Sequence, residues 1–172
     1  TRTVPGATEA EYEALLRQSI LGRGPSVAVG GKAYRRVRTA APYSSLRRLA
    51  DVELAIEGLA RFHVAVERAA AGAQGSSTHV GAGRKEPYVF TRRTVLSVLR
   101  YLEHLVASGS TGSARDLLQT AVSRYYLARC STVDDRNAVE QLLEASLNEP
   151  ARYRLHVDEE IEDLLANIEV AE

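Results

Sequence analysis

The sequence predicts a mainly α fold: a helix–β-hairpin–helix unit followed by a helical C-terminal region, with room there for one short extra strand. Three observations carry that expectation. Apolar residues recur at alternating steps of three and four over several stretches, the period of a helix that buries one face. Two short segments, Ser26–Val29 and Lys32–Arg38, carry valines and a tyrosine and are split by Gly30-Gly31, which reads as a hairpin. The stretch 73–86 is rich in Gly and Ser and poor in large apolar residues, which reads as a flexible linker or long exposed loop. The expected division is therefore 1–72 for the first unit, 73–86 for the linker and 87–172 for a helical extension.

Thr8 opens the first helix. Thr8-Glu9-Ala10-Glu11 has the form of a capping box, in which the hydroxyl accepts from an otherwise orphaned amide and the glutamate reaches back. Tyr12, Leu15, Leu16 and Ile20 then fall on one stripe, and Gly22 and Gly24-Pro25 end the helix. In the hairpin, glycine reaches the positive φ that both central positions of a type I′ turn need. A two-residue turn sets Val29 opposite Lys32 and Val27 opposite Tyr34. Pro42 disfavours helix in the residue before it, so Ala41-Pro42-Tyr43 is a connector. Ser44 or Ser45 is expected to cap a second helix that runs to Ala71, with Leu49, Val52, Ile56, Leu59, His63, Val66 and Ala70 along a heptad-like seam. At about 27 residues that helix would be ~40 Å long, more than the first helix and hairpin can cover. The forecast core of the unit is Tyr12, Leu15, Leu16, Ile20, Val27, Val29, Tyr34, Leu49, Val52, Ile56 and Leu59.

Beyond the linker, Thr91 is placed to cap a third helix over 92–107, whose wide stripe includes Val95, Val98, Leu99 and Leu102. Ser113 with Asp116 opens a fourth over 114–130, and Thr132 with Asp135 a fifth over 133–147. Tyr153, Leu155 and Val157 alternate with Arg152, Arg154 and His156, the pattern of a short strand. Asp158 is placed to cap a last helix through Ile161, Leu164, Leu165 and Ile168.

The chain has 172 residues, enough for one core or for a small domain with an extension. No apolar run approaches the ~20 residues of a membrane span, and the first residues lack the apolar core of a secretory signal. Cys130 is alone, so it reads as a small core residue in a reducing compartment. The net charge is zero, yet residues 1–107 carry +7 and residues 108–172 carry −7. Such asymmetry suits two electrostatic tasks at the two ends of the chain.

Motifs for chemistry are missing. There is no P-loop, G-x-G-x-x-G, H-E-x-x-H, G-x-S-x-G or C-x-x-C, so no enzymatic activity, cofactor or metal is expected. His63, His79, His104 and His156 show no metal-ligand spacing, and His63 reads as a satisfied seam residue. Arg100 and His104 share a helix face and are similar to the R-x4-6-H motif of the HEPN ribonucleases. Here the gap has three residues and Tyr101 stands where a polar residue is expected. Glu159, Glu160, Glu162 and Asp163 read as a solvated helix start favoured by the helix dipole.

The candidate site is the basic cluster Lys32, Arg35, Arg36 and Arg38 with the Gly30-Gly31 tip, joined by Arg47 and Arg48 at the next helix start. Six cations near Tyr34 and Tyr43 suit contact with phosphate. The same pattern suits salt bridges to a neighbouring subunit or plain solubility, and the sequence leaves these open.

The first ~70 residues resemble the protein W family of head–tail joining proteins of tailed bacteriophages. The resemblance rests on the helix stripe Tyr12, Leu15, Leu16, Ile20, Leu21, the Gly22/Gly24 loop, the Val27-x-Val29 strand, the Gly30-Gly31-Lys32 turn, Tyr34, and the Ser45-capped run Leu46, Leu49, Val52, Ile56, Leu59. It implies a helix–hairpin–helix fold and a place in a ring in the neck, between portal and tail. The chain departs from the family in its longer second helix and in about 100 further residues. The function the resemblance implies is a structural head–tail connector in the virion, assembled in the host cytoplasm. It would be a homo-oligomer in contact with portal and tail or neck proteins, near DNA without reading its sequence, and away from membranes. The alternative is a small helical nucleic-acid-binding or regulatory module, with a HEPN-like ribonuclease as a third.

Overall fold

The structure is a computed structural model and describes residues 7–29, 32–38, 41–72 and 78–149. The Gly30-Gly31 tip, the expected strand at 153–157 and the last helix after Asp158 lie outside them. The described residues are mainly helical. Helix α1 (Glu9–Leu21) is capped by Thr8, whose hydroxyl accepts from the Glu11 N–H at 3.2 Å. Gly22 closes the helix at φ +68°, a conformation that suits glycine, and donates to the Gln18 carbonyl. Strands β1 (Arg23–Val29) and β2 (Lys32–Arg38) pair antiparallel, with Val27 opposite Tyr34 and Val29 opposite Lys32, and the register is irregular around Ser26. The Tyr43 N–H then donates to the Ser19 carbonyl, which brings the chain back to the end of α1.

The second helix is not the single long element expected from Ser44 to Ala71. Ser44–Arg48 form one 3-10 turn, Leu49 is extended, and α2 starts only at Val52 and ends at Ala71. The break has a packing cause and a hydrogen-bonding cause. It lets both Leu46 (1% exposed) and Leu49 (9% exposed) enter the core. It also frees the Asp51 carboxylate to accept the Ala114 N–H at 3.1 Å, one of the orphan donors at the start of α4.

Helix α3 (Arg92–Ala107) and helix α5 (Val133–Asn148) occupy the expected spans to within a residue. Thr91 and Thr94 form a reciprocal capping box on α3, and Thr132 caps α5 by accepting from the Asp135 N–H. Helix α4 (Ala114–Tyr125) is shorter than the expected 114–130; a 3-10 turn over Leu127–Arg129 follows it. Tyr126, between them, is wholly buried and stacks on Phe90, so the chain gives up helix to bring that ring inside.

One hydrophobic core runs from Tyr12 to Leu147. Helix α2 is its axis, packed against α1, α4 and α5, while α3 packs on α4 and on the 3-10 turn before α2. Of the forecast core, Tyr12, Leu16, Ile20, Leu49, Val52, Ile56 and Leu59 are buried and Leu15 is half-buried. Val27, Val29 and Tyr34 fall on the strands, of which only the backbone is described. Where a linker or loop is expected, Val80 is fully buried and donates its N–H to the Ala69 carbonyl at 3.2 Å. At the far end of the core, Arg61 closes α5 by donating to the Ser146 and Glu149 carbonyls, and Arg115 donates to the Leu147 carbonyl.

Candidate interaction surface

The 3-10 turn that holds Arg47 and Arg48 packs against α3, and both arginines are exposed. Helix α3 exposes Arg92, Arg93, Arg100 and His104. Positions 93, 97, 100 and 104 recur at helical steps, so Arg93, Ser97, Arg100 and His104 form one ridge. The fold thus joins the sequence-predicted Arg47 and Arg48 to α3 arginines that the sequence reading passed over as a binding surface. The missed signal was the helical period itself, which already placed Arg100 and His104 on one face. Lys32, Arg35, Arg36 and Arg38 lie along β2, with Lys32 opposite Val29, Arg36 opposite Ser26 and Arg38 opposite Arg23. Gly30 and Gly31 fall outside the described residues.

Helix α5 has the opposite character. It packs on α2 and exposes Asp134, Glu140 and Glu144. The charge asymmetry of the sequence therefore becomes a separation between elements, cations on α3 and the turn, carboxylates on α5. A pocket of ≈ 300 Å³ opens between α4 and α5, lined by Gln119, Ser123, Leu127, Glu140, Leu143 and Glu144.

Two polar networks hold the body together. At its centre, His63 is fully buried, with Nδ1 2.7 Å from the Tyr126 hydroxyl and Nε2 3.1 Å from the Tyr12 hydroxyl. Glu67 Oε2 lies 3.4 Å from the same Nε2. A neutral imidazole has one N–H and one lone pair, so one ring nitrogen donates and the other accepts. Desolvation pushes His63 down to about 4 and raises both tyrosines. Near the start of α5, Asp135 accepts from the Gly81 N–H and the Tyr88 hydroxyl, each at 2.8 Å. Tyr88 also accepts from the Ser131 N–H at 2.9 Å, and Arg84 lies over its ring at 4.1 Å. Burial acts to raise the Asp135 carboxyl, but the hydrogen bonds from Gly81, Tyr88 and Thr132 outweigh it and hold it below its ordinary range.

Cys130 is buried and its thiol is pushed up by desolvation, which makes it a poor nucleophile. Arg100 and His104 stand exposed on their ridge. Among the described residues no group of three His, Cys, Asp or Glu is placed to hold a metal ion, and no helix is long and apolar enough to cross a membrane. Comparison with known protein families, with curated proteins and with solved structures finds no match.

Proposed function

We propose that this chain is a non-enzymatic structural connector of a tailed-bacteriophage neck, a head–tail adaptor or head-completion protein that assembles as a ring between portal and tail. The observation that carries the reading is a set of exposed cations on two packed elements, Arg47 and Arg48 on the 3-10 turn and Arg92, Arg93 and Arg100 on the α3 it contacts. A neck ring must let DNA pass without gripping it. Arginines that meet phosphate, with no base-reading geometry required of them, suit that task. The order of elements α1, β1, β2, α2 supports the likeness of the first unit to the protein W family, and the helix–hairpin–helix arrangement is part of the proposal. On this reading the protein is a homo-oligomer in the virion and contacts portal and tail proteins.

Mass photometry and electron microscopy of the purified protein, alone and mixed with portal, test it. Rings or portal-bound copies are expected. A monomer at every concentration that also ignores portal overturns the proposal. The α3 ridge equally favours a second reading, a nucleic-acid-binding module. That reading requires duplex binding that weakens steeply with salt and occurs without ring formation.

A further inference from the structure

The exposed ridge of α3, with the cation Arg100, and the exposed edge of α5, with the carboxylates Glu140 and Glu144, are opposite in charge and matched in spacing. Arg100 and His104 stand one helical turn apart, as do Glu140 and Glu144, and four residues of helix span ~6 Å in each case. Among the described residues neither pair is used: the side chains of Arg100, His104, Glu140 and Glu144 make no hydrogen bond or ion pair. The nearby cations on the acidic side are already committed. Arg136 donates to the Cys130 carbonyl at 3.3 Å, and Arg115 is held at Leu147 and Asn148. Both glutamates line the ≈ 300 Å³ pocket between α4 and α5, whose apolar lining is Leu127 and Leu143.

We propose that copies of this chain associate head to tail, the Arg100–His104 ridge of one copy seating against the Glu140–Glu144 edge of the α4–α5 pocket of the next. This deepens the ring reading by naming its two surfaces. A guanidinium suits such a pocket because its stem lies on apolar carbon while its head meets carboxylate. Isolated surface ion pairs contribute little, so the contact draws on several charges and on the partial desolvation the pocket supplies. Because the two patches differ, the contact is heterologous. It repeats from copy to copy and closes into a ring when the rotation allows.

Charge reversal in the full chain tests this by sedimentation velocity at low and high salt. The wild type is expected to associate, less so at high salt. Arg100→Glu and Glu144→Arg are each expected to weaken association by more than about tenfold, because each places like charges across the contact. The double variant restores the pair and is expected to recover association. Both positions are exposed, and circular dichroism melts check that each variant folds. Single reversals that leave association unchanged, or a double variant that does not recover it, overturn the inference. So does loss of DNA binding in Arg100→Glu with unchanged self-association, which assigns the ridge to a polyanion. Portal-bound rings that ignore the reversals sink this contact and leave the connector reading standing. Charge-swapped assembly that ignores portal supports this contact and sinks the connector reading.

Discussion

His63 bridges two tyrosine hydroxyls in the middle of the molecule, with Nδ1 2.7 Å from Tyr126 and Nε2 3.1 Å from Tyr12. The three residues come from α2, from the end of α4 and from α1, so one imidazole ties three elements together. The rings also meet edge to face, Tyr12 and His63 at 4.6 Å and Phe62 and Tyr126 at 4.8 Å between centroids. Tyr126→Phe keeps the ring contacts and leaves a buried imidazole nitrogen without its partner. The expected loss is about 1–3 kcal/mol, read as a lower urea midpoint at an unchanged slope. Wild-type stability in this variant would mean that the hydroxyl contributes nothing net.

The same histidine gives the fold a pH dependence. Burial holds His63 at about 4, below its ordinary 6.5. As pH falls, the unfolded chain binds that proton first, so this contribution to stability is full above about pH 6.5 and is lost progressively toward pH 4. The loss amounts to roughly 3 kcal/mol at most. Glu67 acts in the opposite sense, since desolvation raises its carboxyl and the folded chain takes up that proton first. Asp135, held low, loses its contribution only below the ordinary carboxylate range. Urea unfolding across this window should show stability that rises with pH, and His63→Gln should flatten the slope. A His63→Gln profile parallel to wild type would assign the slope to other groups.

Asp135 and Gly81 are 54 residues apart in sequence and 2.8 Å apart in space. Their bond, with those of Tyr88, fastens the segment before α3 to the first turn of α5. Asp135→Ala leaves the Gly81 N–H and the Tyr88 hydroxyl without that acceptor and should cost about 1–3 kcal/mol. Tyr88→Phe should act locally. Amide exchange at Gly81 and Ser131 is expected to speed up while the amides of α2 stay protected. Exchange that accelerates equally throughout α2 would mean that this segment does not open by itself.

Leu16 on α1 and Ile56 on α2 are fully buried in the one core. Truncation of either to Ala removes apolar contacts and leaves a cavity, with an expected cost of about 2–5 kcal/mol each. If α1 and α2 meet at these two side chains, the double variant should depart from the sum of the singles by a measurable coupling. Additive effects would place the two side chains in separate packing environments.

What the sequence showed of this fold was chiefly what is local. Thr8, Ser113 and Thr132 each accept from the amide three residues on, and each helix start was legible because the cap and its partner lie in one turn. The two misjudged helices were broken by distant groups. Asp51 leaves helix to serve Ala114, 63 residues away, and Tyr126 leaves helix for His63, also 63 residues away. Periodicity carries no information about such partners: Leu49 fits the helical seam as well as it fits the break. The candidate surface was half legible for the same reason. Arg47 and Arg48 stood out as a pair, but only the fold shows that their turn packs on α3, the helix that exposes Arg92, Arg93 and Arg100.

Gly58 sits where α2 crosses α5, and a Cβ built there would lie 2.7 Å from Leu147 Cδ2 and 3.8 Å from the Ser146 carbonyl oxygen. Its backbone is helical, so the position requires glycine for space rather than for conformation. Two effects then compete in Gly58→Ala. Helix propensity favours alanine by about 1 kcal/mol. Displacing Leu147, which is 2% exposed and has little room to turn, costs about 1–3 kcal/mol. The expected net change is therefore small and destabilising, while Gly58→Val, which adds bulk and loses the propensity gain, should be clearly destabilising by more than about 2 kcal/mol. Trimming the obstacle separates the two effects. In a Leu147→Ala background, Gly58→Ala should become stabilising, because the methyl then fills space instead of taking it. If Gly58→Ala is equally destabilising in both backgrounds, the close approach of α2 to α5 is not what holds glycine at this position.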